Sequence, residues 1–412
     1  MASTSCNELA AELLAICLKG ERWPAALLDK LTTPDCADSL FRIVVERLAD
    51  LFDPRYCDTY ADLFSEVIAG SLPDLKAADL RARYDRVRWP RKFQGDAKSV
   101  ETVFVLSRVT LGADVAVTSV LLDAAKRRFP KARIVLAGSK KSYELFAGDS
   151  RIAHVPVTYR RAGSVRDRLA PWQELKRALA PRNSIVIDPD SRLTQLGLLP
   201  VCPEETYYFF ESRAYGAAGG DSLPALAAKW ALETFGIEQA APWIAPAPSE
   251  SIKIPRRPFV AMSLGVGENP AKRIGEDFEE QLVGHVVGTG ANILIDEGAG
   301  GEEAGRVMRA ISKCGAPAER VRSFRGSFAA FAAAIRKSDL YIGYDSAGQH
   351  VAAACGVPLL SIFAGFPSDR FLARWRPWGK GAIELITVRN ESPAAVRLPV
   401  MESLARLKTW KR

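Results

Sequence analysis

The chain has 412 residues, of which 48% are hydrophobic and 25% charged, and a formal net charge of +8. That length exceeds one ordinary domain, and the balance is that of a globular protein, not a disordered or collagen-like one. The longest nearly apolar run, around 341–366, contains Asp345, Gln349 and His350 and is broken by Gly356 and Pro358. It therefore fails as a membrane span, which needs roughly 20 uninterrupted apolar residues.

Residues 1–98 read as helices alone. "NELAAELLAICL" and "CADSLFRIVVERLADLF" repeat apolar residues at spacings of three and four, with Pro34–Asp35 opening the second helix. Acids stand among the apolar residues near the start and no basic leader precedes them, so a cleaved signal peptide is not expected. Cys6, Cys17, Cys36, Cys57, Cys202, Cys314 and Cys355 are scattered, odd in number and never spaced C-x-x-C. The expectation is a set of reduced thiols in a cytosolic protein, without a disulfide framework or zinc site. "RARYDRVRWPRK" (81–92) carries six basic residues against one acid, with Tyr84 and Trp89 interleaved. Such a stretch can meet RNA or anionic lipid headgroups. A solvated linker is the expectation, and no nucleic-acid partner is expected.

From residue 99 the texture changes. Runs rich in Val and Ile, such as "VETVFVLSRV", "ARIVLAG", "IAHVPV" and "SIVID", alternate with helical segments as far as "SLPALAAKWALETFGI". A proline-rich linker at 241–258 follows, and the alternation resumes from "FVAMSLG" through "LYIGYDS" and "PLLSIFAG" to "AIELITV". Strand–helix alternation of this kind predicts parallel sheets covered on both faces. The chain is thus expected to be α/β, with Rossmann-like doubly wound domains over 99–245 and 246–390 and a terminal helix in 391–412. Ligands of such folds bind beyond the carboxyl ends of the strands.

Three strand-to-helix junctions carry chemistry. At "GYDSAGQHVAAACGVP" (343–358) a helix begins near Ser346–Ala347, and its first-turn N–H groups and dipole suit a phosphate. Small residues at Ala347 and Gly348 let an anion approach, and Ser346 either caps the helix or donates to the anion. A well-capped turn without a ligand is the alternative. At "MSLGVGENPAKRIGEDF" (262–278) a glycine-rich loop precedes Lys272 and Arg273, but Pro270 breaks the G-x-G-x-x-G dinucleotide fingerprint. Ser263, Gly265 and Lys272 remain able to clasp a diphosphate. At "LSRVTLGADVAVTSV" (106–120) Gly112 and Asp114 open a helix, the acid serving either the dipole or the cleft as a base.

Together these junctions resemble glycosyltransferase family 9, the heptosyltransferases of bacterial lipopolysaccharide, over about residues 100–390. The family's D-[ST]-[GA]-x-x-H pattern is met by Asp345, Ser346, Ala347 and His350, its basic loop by Lys272 and Arg273, and its amino-terminal L-G-D by Leu111, Gly112 and Asp114. "RWRPWG" (374–379) is similar to its late loop. Ala113 stands between Gly112 and the acid, and Ile274–Gly275 replace the usual Trp–Pro. The resemblance implies a GT-B fold and metal-independent, usually inverting transfer from a nucleotide-diphosphate sugar, with an ADP-sugar favoured. It implies that Ser263, Lys272, Ser346 and Ala347 hold the diphosphate, that Asp345 and His350 shape the site, and that Asp114 deprotonates the acceptor hydroxyl.

Other residues have two readings each. Asp188 and Asp190 form a D-x-D that suits either a metal or, with Arg192, an acceptor-facing loop; the latter is expected. Glu302 and Glu303 suit the donor's base or ribose, or merely the helix dipole. The expected acceptor is a glycan, glycolipid or protein, reached by a cytoplasmic protein in peripheral contact with an anionic membrane. A non-catalytic relative that binds a nucleotide or glycan is the competing reading.

Overall fold

The computed structural model describes residues 5–216, 219–248, 252–267 and 269–407. Five strands form the first sheet: β1 (Thr102–Leu106), β2 (Arg133–Gly138), β3 (Ile152–Pro156), β4 (Ser184–Asp188) and β5 (Tyr207–Phe209), in the order β3-β2-β1-β4-β5. The second contains β6 (Phe259–Ser263), β7 (Asn292–Asp296), β8 (Val321–Phe324), β9 (Leu340–Tyr344), β10 (Leu359–Ala364) and β11 (Ile383–Val388), in the order β11-β10-β9-β6-β7-β8. Each pairing in both sheets is parallel. In the second sheet Ser263 lies opposite Gly343, so β6 and β9 end level and their following loops emerge side by side.

Strand alternation assigns residues to separate cores. Val103 and Val105 of β1 face a core shared with Phe259 and Ala261 of β6, which joins the two sheet domains. Val260 and Met262 face the opposite way, under helices Phe278–Gly288, Gly301–Lys313 and Pro393–Arg406. The expected terminal helix is this last one; the remaining residues of that stretch, 408–412, lie outside the described residues.

Phe104 and Leu106 of β1 face the helical region and share one core with Leu13, Val44, Phe64 and Tyr84. Residues 6–87 therefore join helices Val165–Leu169 and Pro171–Ala178 in the core on this face of the first sheet. Helix Ala77–Val87 lies against β5, and Cys6–Lys19 packs on the other helices of the region.

Two expectations are corrected here. Residues 81–92 are not a solvated linker: Arg83, Tyr84 and Arg88 are buried. Arg86 pairs with Glu204 at 2.8 Å, and Arg91 donates to the carbonyls of Glu204 and Glu205 at 2.9 and 2.8 Å. Arg83 lies 4.5 Å over the Tyr207 ring. Arg83, Arg86 and Arg91 are spent along the β5 edge, where an unpaired strand needs covering, and Arg81 and Arg88 pair with Asp58 in the helical region. The thiols are not all reduced: Cys6 and Cys36 form a disulfide with Cα atoms 5.1 Å apart. Thirty residues separate them in sequence, and only the packing of the first helix brings them together.

Candidate active site

A cleft of about 530 Å³ opens where the two sheets' carboxyl ends face each other. One wall is the turn after β1 and the helix it starts, with Thr110, Gly112 and Ala113. The other holds Lys272, Ser346, Ala347 and His350. An adjoining cavity of about 240 Å³ lies between the carboxyl ends of β1, β3 and β4 and the helical region, and is lined by Arg108, Tyr159, Asp190, Arg192 and Glu46.

The second-sheet wall follows from the level ends of β6 and β9. Lys272 Nζ lies 2.6 Å from Asp345 Oδ2 and donates to the Asp345 carbonyl at 3.3 Å. Gln349 holds the other carboxylate oxygen at 2.6 Å and is itself held by Ser361 at 2.6 Å. Both oxygens of Asp345 are thereby occupied, and its role is to aim the lysine. Arg273 turns the opposite way, to the buried Glu279 at 3.0 Å, which Arg306 also reaches at 3.0 Å. Adjacent basic residues thus divide between cleft and core.

Ser346 precedes helix Ala347–Ala354 with extended backbone, φ −151° and ψ −178°. Its hydroxyl does not cap the helix and has no partner at hydrogen-bonding distance. A buried polar atom left unmatched costs about 1–3 kcal/mol, so this hydroxyl is available to an anion at the helix start. His350 is buried, and desolvation pushes its pKa down to about 4, against the pull of Asp345. It is neutral near pH 7, and its ring lies 5.9 Å from Trp375.

Several expected site residues stand elsewhere. Asp114 is fully buried and does not line the cleft. It accepts from Ser107 Oγ at 2.7 Å, Arg108 N at 2.7 Å and Thr118 Oγ1 at 2.8 Å. The helix is α-helical over Leu111–Ala113, π-helical over Asp114–Thr118 and α-helical again over Ser119–Arg128. The cleft-facing place after Gly112 is taken by Ala113, and the acid is turned into the core as a bracket for the β1 turn. Gly112 lines the cleft but acts as a contact, since a Cβ there would lie 3.2 Å from Ala347 Cα.

Asp188 is a second internal bracket, accepting from Ser191 N at 2.7 Å and Tyr207 Oη at 2.6 Å. Asp190 pairs instead with Arg213 at 3.1 Å, so the D-x-D carboxylates serve different partners. Glu302 points to solvent, its side chain 85% exposed. Glu303 is the one turned inward, accepting from Val266 N at 3.2 Å and Ala299 N at 2.9 Å. Gly265 packs on Glu303, with Ser263 at the β6 end behind the cleft wall. Gly348 is buried against Tyr341, whose hydroxyl would meet any Cβ at 2.2 Å, so it serves packing. Arg192 does reach the adjoining cavity. Glu268, within the glycine-rich loop, lies outside the described residues.

Asp50, Arg108, Phe371 and Trp375 also line the cleft or its extension; Arg108 and Trp375 lie within the stretches 106–120 and 374–379, while Asp50 and Phe371 belong to no recognised motif. Asp50 comes from the helical region, where amphipathic periodicity does not distinguish a cleft-facing acid from a solvated one.

Comparison with known proteins gives this geometry a context. Residues 226–404 match the family model described as glycosyltransferase family 9 (heptosyltransferase). Lipopolysaccharide heptosyltransferase 3 of Escherichia coli is 30% identical over 95 residues, 23% of this chain and 27% of that protein, so the match spans about a quarter of that relative's length. Among solved structures, a glycosyl transferase family 9 protein from Veillonella parvula aligns with TM-score 0.53 and 13% identity, over 74% of this chain and 97% of that one. E. coli heptosyltransferase WaaC with ADP gives 0.52 and 16%, over 73% and 99%. E. coli ADP-heptose lps heptosyltransferase II gives 0.52 and 16%, over 74% and 98%. At these identities the structures establish the architecture, two parallel sheets facing across a cleft in the GT-B manner. The chain therefore has a GT-B fold with a helical amino-terminal region, and its residues 226–404 match the glycosyltransferase family 9 model.

Proposed function

We propose that this protein is a glycosyltransferase that moves a sugar, heptose being favoured, from a nucleoside-diphosphate donor to an acceptor hydroxyl. The observation that carries the proposal is the Lys272 ammonium held by Asp345 beside the unpartnered Ser346 hydroxyl, at the start of helix Ala347–Ala354. A departing diphosphate gains negative charge in the transition state. An amine, a hydroxyl and helix N–H groups fixed around it lower the barrier because they need no reorganisation as that charge develops. They supply the charge stabilisation that lets the reaction proceed without a metal. In-line attack from the opposite wall inverts the anomeric centre.

Glycosyltransferase family 9 relatives, one of them solved with ADP, support ADP-heptose as the donor and a glycan or glycolipid of lipopolysaccharide as the acceptor. A protein acceptor fits the same chemistry. A cytoplasmic location with peripheral contact to the inner membrane leaflet follows if the acceptor is lipid-linked. The inward turn of Asp114 also favours a second reading, a relative that binds the nucleotide sugar without turning it over.

Thermal unfolding with ADP, UDP and GDP tests the donor site. A nucleotide at about 100 times its Kd adds roughly 2.7 kcal/mol and raises Tm. Lys272→Ala is expected to weaken the favoured nucleotide by about 10- to 100-fold, the worth of one charge-assisted contact. Absence of a shift with all three nucleotides defeats the proposal. Saturable binding without product from ADP-heptose favours the binding relative.

A further inference from the structure

We infer that Asp50, contributed by the helical region and not by either sheet domain, is the general base that takes the proton from the attacking hydroxyl. The inference rests on the glycosyltransferase reading above and deepens it.

The cleft offers few carboxylates. Asp345 is saturated by Lys272 and Gln349. Asp190 gives one oxygen to Arg213 and Ser212, and it and Glu46 border only the 240 Å³ cavity and not the cleft; Asp114 is bracketed in the core. Asp50 differs from these: it borders both the 530 Å³ cleft and the 240 Å³ cavity at the carboxyl ends of β1, β3 and β4. It stands at the junction where a donor held by Lys272 would meet an acceptor lying along Arg108 and Arg192. Among the described residues its carboxylate has no hydrogen-bond or ion-pair partner, and the charges it senses are more distant ones.

Its placement works against local electrostatics. Asp50 is the last residue of helix Glu46–Asp50, at the end of the segment that follows the π-helical Leu40–Val45. A carboxylate at a helix C-terminus faces the negative end of the dipole. Burial pushes its pKa up to about 6, with Arg192 and Lys272 drawing it back and Glu46 adding to the rise. A base of that strength is well matched to proton transfer near neutral pH.

The position is also fixed by its neighbour. Phe52, two residues on, adopts a left-handed backbone with φ 54°, a strained conformation for a bulky residue. Its buried ring contacts Phe371 and Trp375 of the second domain at 6.2 and 6.3 Å. The turn that follows Asp50 is therefore clamped to the wall that carries the donor-side aromatics.

In the reaction, the acceptor O–H proton passes to the Asp50 carboxylate as the oxygen bonds to the anomeric carbon. The bond from that carbon to the diphosphate breaks, and its electron pair leaves with the diphosphate. No further reactant is required.

The test measures ADP release from ADP-heptose by the full chain, wild type against Asp50→Asn and Asp114→Asn, with the ADP-induced Tm shift recorded for each. Expected is a loss of about 100-fold or more for Asp50→Asn with the ADP shift intact, and a much smaller loss for Asp114→Asn. Because no hydrogen bond or ion pair among the described residues is lost with the carboxylate, Asp50→Asn should unfold no earlier than wild type. Turnover by Asp50→Asn within threefold of wild type, with ADP still bound, overturns Asp50 alone. A wild-type chain that neither binds ADP nor releases it overturns the donor reading and the base with it.

Discussion

His350 shows how one side chain links the cleft to stability. Its folded pKa is about 4 against an ordinary 6.5, because burial penalises the imidazolium. Below pH 6.5 the unfolded chain binds a proton that the folded chain refuses, so the stabilisation present above 6.5 is lost as pH falls toward 4. Asp50 and Asp188, both raised to about 6 by burial, act with the opposite sign over much of the same window, their contribution being lost as pH rises. The histidine is therefore isolated by difference. Between pH 7 and pH 4, wild type is expected to lose roughly 2–3 kcal/mol more than His350→Gln, read from urea melts at each pH. Equal losses would mean that His350 takes up its proton in the fold as readily as in the unfolded chain.

At the scale of elements, the helix that begins at Leu111 decides what its first acid does. Successive residues of an α-helix point about 100° apart, so one position separates a cleft-facing side chain from a core-facing one. Ala113 takes the first and Asp114, which opens the π-helical segment, the second. Asp114→Ala removes the acceptor for Ser107, the Arg108 amide and Thr118. The expected cost is about 2–4 kcal/mol in chemical denaturation, with ADP affinity changed less than threefold. Strands of this fold were legible because Val- and Ile-rich runs alternate with amphipathic helices. β5, only Tyr207–Phe209, and helix Asp369–Trp375 were too short to stand out from the prolines and charges around them. Lys272, Ser346 and His350 could be located because each lies just beyond a recognisable strand. Asp50 could not, since its helix reaches the cleft only through tertiary packing, and neither could the orientation of Asp114, which turns on a single-residue offset.

On the scale of the whole molecule, three regions interlock about one opening. The helical region completes the first sheet's core, the two sheets share another, and Phe52 bridges to Phe371 and Trp375. Nearest to the chemistry, the backbone of Gly112 all but touches Ala347. That abutment is a doorstop: at this point the two walls cannot draw closer. A side chain at position 112 would be a wedge. Gly112→Val is expected to leave the separate cores intact yet prop the halves ajar, read as a larger radius of gyration in solution scattering with ADP. Unchanged dimensions would mean that the stop lies elsewhere. Where most glycines lend freedom to a chain, this one serves by how little it occupies.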